Sequence, residues 1–437
     1  MPSDSQRKIR IGVFGTYGFE NMGDAAVADA TIAGFKRCLP NAEMVGICQQ
    51  PENVVSRHHI EAYSIHREFL TRSQTDGGEV TTYEEKNSRF RSSLVSFIKS
   101  FQLLFKIAKS LQKMLLLVPL VYKELKYSFF ILKVVRSINL IVMSGSGQLN
   151  EEWGGPWRYP FGLFRWCLLA RIAGCKIAFL SVGAGVLNSP TAKFFCRSAL
   201  RFAHYKSVRD ARTKILLESW GIQGVQIVPD MAFSLKFNPS IPAVLKEGGR
   251  TVGINPIPFC DPRTWVVANQ EEYDGYIEKM VRFCNWLILN DYRVVFIPNE
   301  LSMDMRTIKD LLGKIDGRLI NKKVFIPEII NYSDVFDCYA SCDFVVACRF
   351  HGLLFSYMSK KPVLSLAHHY KYRELAKEMG QEKYCLDISS FTFDEMILLF
   401  SDLVENKDEN SRIILEKLEN YSNLVENQYK EVSALAV

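Results

Sequence analysis

Short apolar runs alternate with helical segments along most of this chain, and that alternation constrains the fold more than any other feature. In the first half the runs are Ile9–Phe14, Glu43–Cys48, Leu140–Met143, Lys176–Val182, Tyr205–Val208 and Gln226–Val228. In the second half they are Thr251–Asn255, Tyr292–Pro298, Val324–Ile326, Phe344–Cys348 and Val363–Leu366. Between them lie stretches with helical spacing, among them Asp24–Lys36, Phe161–Ala173, Pro190–Phe202, Thr213–Trp220, Tyr273–Leu289, Asp304–Leu312 and Tyr332–Ala340. Repetition of this kind builds open parallel sheets covered by helices, so the expected class is α/β with two Rossmann-like domains.

A stretch holding Pro239, Pro242, Gly248 and Gly249, from Phe237 to Arg250, reads as the linker. It separates an N-terminal unit, residues 1–238, from a C-terminal unit, residues 251–400. Residues 401–437 read as C-terminal helices, with Ile414, Leu418, Tyr421 and Val425 on one face, placed to cross back onto the first unit.

Residues 50–138 break the rhythm. His58, His59 and His66 lie there without regular metal spacing and read as surface residues. From about Ser92 the apolar positions Phe97, Phe101, Leu104, Ala108, Leu111, Leu115 and Val118 recur at three- and four-residue steps, up to Pro119. A helical insertion over about residues 90–137 follows. It is basic: residues 94–136 carry Lys99, Lys106, Lys109, Lys113, Lys123, Lys126, Lys133 and Arg136 against Glu124 alone, which matches the formal net charge of +7 for the whole chain. Basicity so localised does not describe a general nucleic-acid binder. The longest uncharged run there, Met114–Tyr122, falls far short of the ~20 residues that span a bilayer. Two readings of the segment stay open: a helix lying on an anionic membrane surface, and an ordinary packed helical pair with a solvated lysine face.

The eleven cysteines form no C-x-x-C pair, and Cys338, Cys342 and Cys348 have no His or second pair to complete a zinc pattern. Cys48, Cys167, Cys175 and Cys348 sit in apolar runs, as buried reduced thiols do, which favours a reducing compartment. The polar start, Met1–Arg10, does not read as a signal peptide. A cytoplasmic protein with no metal is the expectation.

Chemistry collects where the apolar runs end, at the edge of an open parallel sheet where ligands bind. Phe344–Cys348 runs into Arg349-Phe350-His351-Gly352 and then a short apolar helix. A strand-to-helix turn presents free backbone N–H groups to an anion, and here it also carries a guanidinium and an imidazole. The alternative is a structural Arg and a capping His. Asn21-Met22-Gly23-Asp24 opens the first helix, where glycine permits close approach and Asp24 is placed to cap. It is not a dinucleotide fingerprint. Gly145-Ser146-Gly147 and Gly183-Ala184-Gly185 follow successive strands and either cradle an anion or turn the chain. Arg209-Asp210 ends another strand, as a functional pair or a structural one, and Pro229-Asp230 ends the next. His204 precedes the Arg209 strand, as a core residue or a sugar contact. Lys371 and Arg373, beyond Val363–Leu366, add charge to the same edge or belong to a solvated loop.

Taken in order, Asn21-x-Gly23-Asp24, Gly145-x-Gly147, Gly183-x-Gly185, Val208-Arg209-Asp210, Val228-Pro229-Asp230 and Arg349-Phe350-His351-Gly352, with Lys361-Pro362 and Lys371 downstream, resemble the polysaccharide pyruvyltransferases over about residues 9–380. The resemblance implies a two-domain enzyme of glycosyltransferase-B architecture. It implies transfer of the pyruvyl group of phosphoenolpyruvate to two hydroxyls of one sugar, as a cyclic ketal, with release of phosphate. It implies Arg209, Arg349 and His351 at the donor as the catalytic set. Asn21, Gly23, Asp24, Gly145, Gly147, Gly183, Gly185, Asp210, Asp230, Gly352 and Lys371 would form the substrate site. Ser146 stands where the family often has a third glycine and Ala25 where an acid is common. The expected partners are phosphoenolpyruvate as donor, with no cofactor, and a glycan or lipid-linked oligosaccharide as acceptor, met at the cytoplasmic face of the membrane.

The residues suit that chemistry on their own terms. Arginine matches the phosphate and carboxylate of the donor. A histidine can protonate the enol carbon or deprotonate the attacking hydroxyl. Two other functions fit the same architecture: a nucleotide-sugar glycosyltransferase, and a non-catalytic assembly protein of a polysaccharide machine.

Overall fold

The computed structural model describes residues 8–17, 21–67, 119, 121–152, 154–240, 249–265, 267–320 and 323–437. The amphipathic pattern between Ser92 and Val118 lies outside the described residues; the end of the insertion, 121–135, is helical.

The first sheet contains β1 (Arg10–Phe14), β2 (Glu43–Cys48), β3 (Glu61–Ser64), β4 (Leu140–Ser144), β5 (Lys176–Val182), β6 (Tyr205–Val208) and β7 (Gln226–Ile227). Their spatial order is β3-β2-β1-β4-β5-β6-β7, all parallel. The second contains β8 (Thr251–Asn255), β9 (Arg293–Phe296), β10 (Val324–Phe325), β11 (Phe344–Ala347), β12 (Val363–Ala367) and β13 (Cys385–Asp387), in the order β10-β9-β8-β11-β12-β13 and again parallel. The order reverses between β1 and β4 in one sheet and between β8 and β11 in the other, and at such points the loops diverge to leave a crevice. The central strands β4, β8 and β11 are buried along their whole length, as helix-covered parallel sheets require.

Several elements lie outside the apolar runs and helical stretches named from the sequence. The edge strand β3 is half-exposed and polar, and β13 is three residues long. Helices Pro51–His58, Tyr370–Glu378 and Phe393–Glu405 were also unforeseen. Two of the three histidines read as surface residues are packed. The His58 ring, 8% exposed, sits 2.6 Å from Asp29. His66 packs against Gly162, and burial, helped by Arg165 and Arg158, holds it near pKa 4. His59 is exposed, at the left-handed end of its helix. The cap of helix Met22–Cys38 is Asn21, whose side chain accepts from the N–H groups of Gly23 and Asp24; Asp24 sits in the first turn instead of capping it.

The final helix, Lys407–Ser433, begins on the second domain, where Lys407 pairs with Asp343, and ends on the first. Tyr429 donates to the carbonyl of Ala30 (2.8 Å) and fills the space above Gly34, where a Cβ would come within 2.3 Å of the ring. Gln428 donates to Ser181 (3.2 Å) and accepts from Tyr205 and Ser207. One core therefore joins Ala26 and Phe35 of the first domain, Phe336 and Leu353 of the second, and Tyr429 of this helix.

Candidate functional site

The carboxyl edges of the two sheets face each other. The Met22 N–H donates to the Asn299 carbonyl (2.9 Å), and Asn21 pairs with Glu300, so the loop after β1 is bonded to the loop after β9. Beside that junction Gly23 lies flat on the imidazole of His351. A Cβ on Gly23 would be 1.9 Å from His351 Nδ1, so only glycine admits the ring.

His351 follows β11 in the first turn of helix Phe350–Met358. The turn is pinned by Asn255, at the end of β8. Asn255 Oδ1 accepts the Arg349 N–H (3.1 Å), and its Nδ2 donates to the Ile297 carbonyl (2.8 Å). Gly352 lies so close that a Cβ would meet Asn255 Oδ1 at 2.0 Å. The Arg349 guanidinium is engaged twice. Nε donates to Asp304 at 2.9 Å and Nη2 at 2.5 Å, while Nη1 is 2.8 Å from Glu300. Asp304 is fully buried and also accepts from the N–H groups of Asn299 and Glu300. The fork that the sequence offers to an anion is thus closed on one side by two carboxylates of its own domain.

Arg209, at the end of β6, is different. It has one carboxylate partner, Asp230 (3.0 Å), its guanidinium lies over Gly183 and 4.5 Å from the Phe350 ring, and its Nε is buried with no hydrogen-bond partner. Lys371, in the first turn of helix Tyr370–Glu378, reaches the same ring at 5.4 Å. Burial lowers the Lys371 pKa to about 8, with Arg209 adding to the effect. Burial likewise takes His351 to about 4; Asp230 opposes this, while Arg209, Lys371 and Arg349 reinforce it. His351 Nε2 has no partner. The cleft therefore holds a neutral imidazole among cations, which suits a base beside a bound anion.

Arg209, Asp230, Phe350 and Lys371 line a small interdomain cavity with Glu378 and Tyr421. Tyr421, from the final helix, donates to Glu378 (3.0 Å). Burial raises the Glu378 pKa to about 7 against that hydrogen bond, with Glu374 and Asp210 adding to the rise.

The remaining sequence candidates divide between the site and its scaffold. Asp24 accepts from Ser146 (2.8 Å), and burial raises its pKa. Gly145 and Ser146 both take left-handed φ, 48° and 56°, and Val27 leaves no room for a Cβ on Gly145. Gly147 has open space before it, whereas Gly185 abuts Asn150. Asp210 caps helix Ala211–Ser219 by accepting from Thr213 N (2.7 Å), and Asp230 likewise caps the turn after it. His204 stands at the opposite end of β6, where its Nδ1 accepts from the Ile177 N–H; that removes it as a sugar contact at this edge. Arg373 is exposed. Among the described residues no group of three or more His, Cys, Asp or Glu could hold a metal. Sequence reading missed Asn255, Asn299, Glu300, Asp304 and Glu378. The first two were findable, since each closes an apolar run at a carboxyl edge.

Comparison with known proteins bears on the fold and on the family. In three dimensions the chain is similar to a putative UDP-N-acetylglucosamine 2-epimerase from Listeria monocytogenes, with a TM-score of 0.60 at 10% identity over 96% of this chain and 94% of that one. It is similar to a glycosyltransferase from Rickettsia africae (TM-score 0.54, 10% identity, 98% and 99% covered). It is also similar to a UDP-GlcNAc 2-epimerase from Neisseria meningitidis bound to UDP-GlcNAc (0.53, 12%, 97% and 98%). These likenesses show the fold, the two-domain glycosyltransferase-B architecture. Curated proteins gave no match. The family model of polysaccharide pyruvyl transferases matches residues 21–370, from the loop that meets His351 through the Arg349 turn to the start of the Lys371 helix. The chain therefore belongs to the polysaccharide pyruvyl transferase family.

Proposed function

We propose that this transferase uses phosphoenolpyruvate as donor and forms a cyclic pyruvyl ketal on two hydroxyls of one sugar, releasing phosphate. The observation that carries the reading is the meeting of Arg209 and Lys371 with a neutral His351 whose Nε2 has no partner. Arg209 and Lys371 hold the phosphate and carboxylate of the donor. Arg349 keeps two of its five N–H groups after its bonds to Asp304 and Glu300, and with these it joins them.

His351 takes the proton of the first sugar hydroxyl as its oxygen bonds to C2 of the donor. C3 gains a proton as that bond forms, which makes C2 electrophilic and turns the methylene into a methyl group; the proton His351 has taken replaces the one delivered, so none is gained or lost. The C2–O bond to phosphate then breaks, and the second hydroxyl closes the ketal on C2. Its proton leaves with the phosphate. The backbone N–H groups at the start of helix Phe350–Met358 face the charge that develops. The scheme calls for no cofactor or metal.

The acceptor in this reading is a surface polysaccharide or its lipid-linked precursor, met at the inner face of the plasma membrane. Among the described residues no helix is long and apolar enough to cross a membrane, and the basic 94–136 segment motivates a peripheral contact. The test is incubation of the protein with phosphoenolpyruvate and a glycan panel, followed by mass analysis. A glycan carrying one pyruvyl ketal, with one phosphate released per ketal, is the expected outcome. Transfer of a sugar from a uridine nucleotide, with phosphoenolpyruvate untouched, would replace this reading by the glycosyltransferase one.

A further inference from the structure

Between Glu152 and Asp210 the sequence contains no Asp or Glu. That stretch supplies helices Tyr159–Ala173 and Pro190–Phe202, which pack on one face of the first sheet. The helix of residues 121–135 completes the layer, since Arg165 reaches across to Glu124 (2.6 Å) and lies over the Tyr127 ring. The inner sides of all three share one core, through Ile131 and Val135, Leu163 and Trp166, and Ala192 and Cys196. Their outer sides therefore form one continuous surface.

That surface is apolar and cationic together. Tyr122, Leu125 and Phe129 are exposed along helix 121–135, Phe129 by 70%. Trp157 (67%) and Phe194 (59%) stand proud of an aromatic seam between the other two helices, made with Phe161, Phe164 and Phe195. Exposed Lys126, Lys133, Arg171, Lys193, Arg197 and Arg201 surround them. Glu124, the one acid of these helices, points inward to Arg165. Solvated helical faces ordinarily mix both signs of charge and hide their aromatics. A face that combines exposed Trp, Tyr and Phe with one sign of charge matches the interface of an anionic bilayer, where rings enter the headgroup layer and lysines meet lipid phosphates.

We propose that this three-helix face is the membrane-docking surface of the protein and that its partner is an anionic lipid bilayer. The inference deepens the lipid-linked-acceptor reading and rests on it for what docking serves. It moves the contact from the 94–136 segment alone to the folded first domain.

The experiment is flotation of the full-length protein with vesicles of phosphatidylcholine alone or mixed with phosphatidylglycerol, run without donor or acceptor. The wild type floats with the anionic vesicles only, and added salt weakens the binding. Reversal of three charges remote from the 94–136 segment, Lys193→Glu/Arg197→Glu/Arg201→Glu, lowers vesicle affinity by about tenfold or more. Phe194→Ser/Phe129→Ser lowers it independently. A thermal melt confirms that each variant is folded, and phosphate release with a soluble glycan scores the catalytic reading separately. Wild-type flotation by both folded variants overturns the proposal. So does a self-associating wild type whose association, and not its vesicle binding, the substitutions abolish.

Discussion

Gly23 and His351 touch across the domain boundary at a separation that no side chain on residue 23 would allow. The contact fixes the imidazole from one domain by the helix start of the other, so the orientation of the ring depends on how the two domains meet.

Gly23→Ala should therefore act on catalysis through geometry. The added methyl pushes the ring or the helix start by a fraction of an ångström or more. The expected result is a loss of about 100-fold in kcat/KM for phosphate release from phosphoenolpyruvate and acceptor. A thermal melt close to that of the wild type would separate this effect from unfolding. Unchanged turnover would mean that the contact does not position His351.

The buried His351 ring titrates near 4 instead of 6.5. Between those values the unfolded chain binds a proton there that the native site refuses. Stability contributed by the neutral ring is complete above pH 6.5 and is lost as pH falls towards 4. His351→Gln removes that part of the slope, so its melting temperature should decline less steeply than the wild type's across this window. Parallel slopes would contradict the burial argument.

Glu378 gives the opposite sign. Its carboxyl stays protonated in the native cavity up to about pH 7, against 4.5 when free. The advantage of the neutral form is present below 4.5 and disappears as pH rises through 7. Glu378→Gln, which never ionises and can still accept from Tyr421, should be more stable than the wild type at pH 8 and no different at pH 4. Urea unfolding at the two pH values measures this.

Asp304 holds Arg349 and two backbone N–H groups from a fully buried position. Asp304→Ala strands a cation and two donors, and the expected loss is about 3–5 kcal/mol in urea unfolding. A loss below 1 kcal/mol would show that Glu300 or water replaces it.

The strand-to-helix repetition made both sheets legible, because a buried parallel strand must be apolar along its whole length and cannot hide. The runs Glu43–Cys48 and Lys176–Val182 coincide with β2 and β5. The edge strand β3 was illegible for the converse reason: with one side in solvent its residues, Glu61 to Ser64, look like a loop. At the site, the pairing of Arg349 with Asp304 spans 45 positions and joins the turn after β11 to the first turn of helix Leu301–Leu312. No local spacing encodes it. Asn21 was read as one of several loop residues because Asn, Gly and Asp all suit a helix start, and only geometry showed which side chain bends back. The burial of His58 and His66 depends on packing that polar neighbours in the sequence conceal.

The returning C-terminal helix has a mechanical consequence. The chain passes between the domains twice, and the second passage is a single rod of 27 residues, about 40 Å long, with its tip clasped by Tyr429 and Gln428. Two tethers, one of them stiff, permit a swing like that of a door on two pins and resist twisting or sliding apart. Any parting of the domains would carry Arg209 and Lys371 along one arc, and closure would return them to the same register around whatever lies between them.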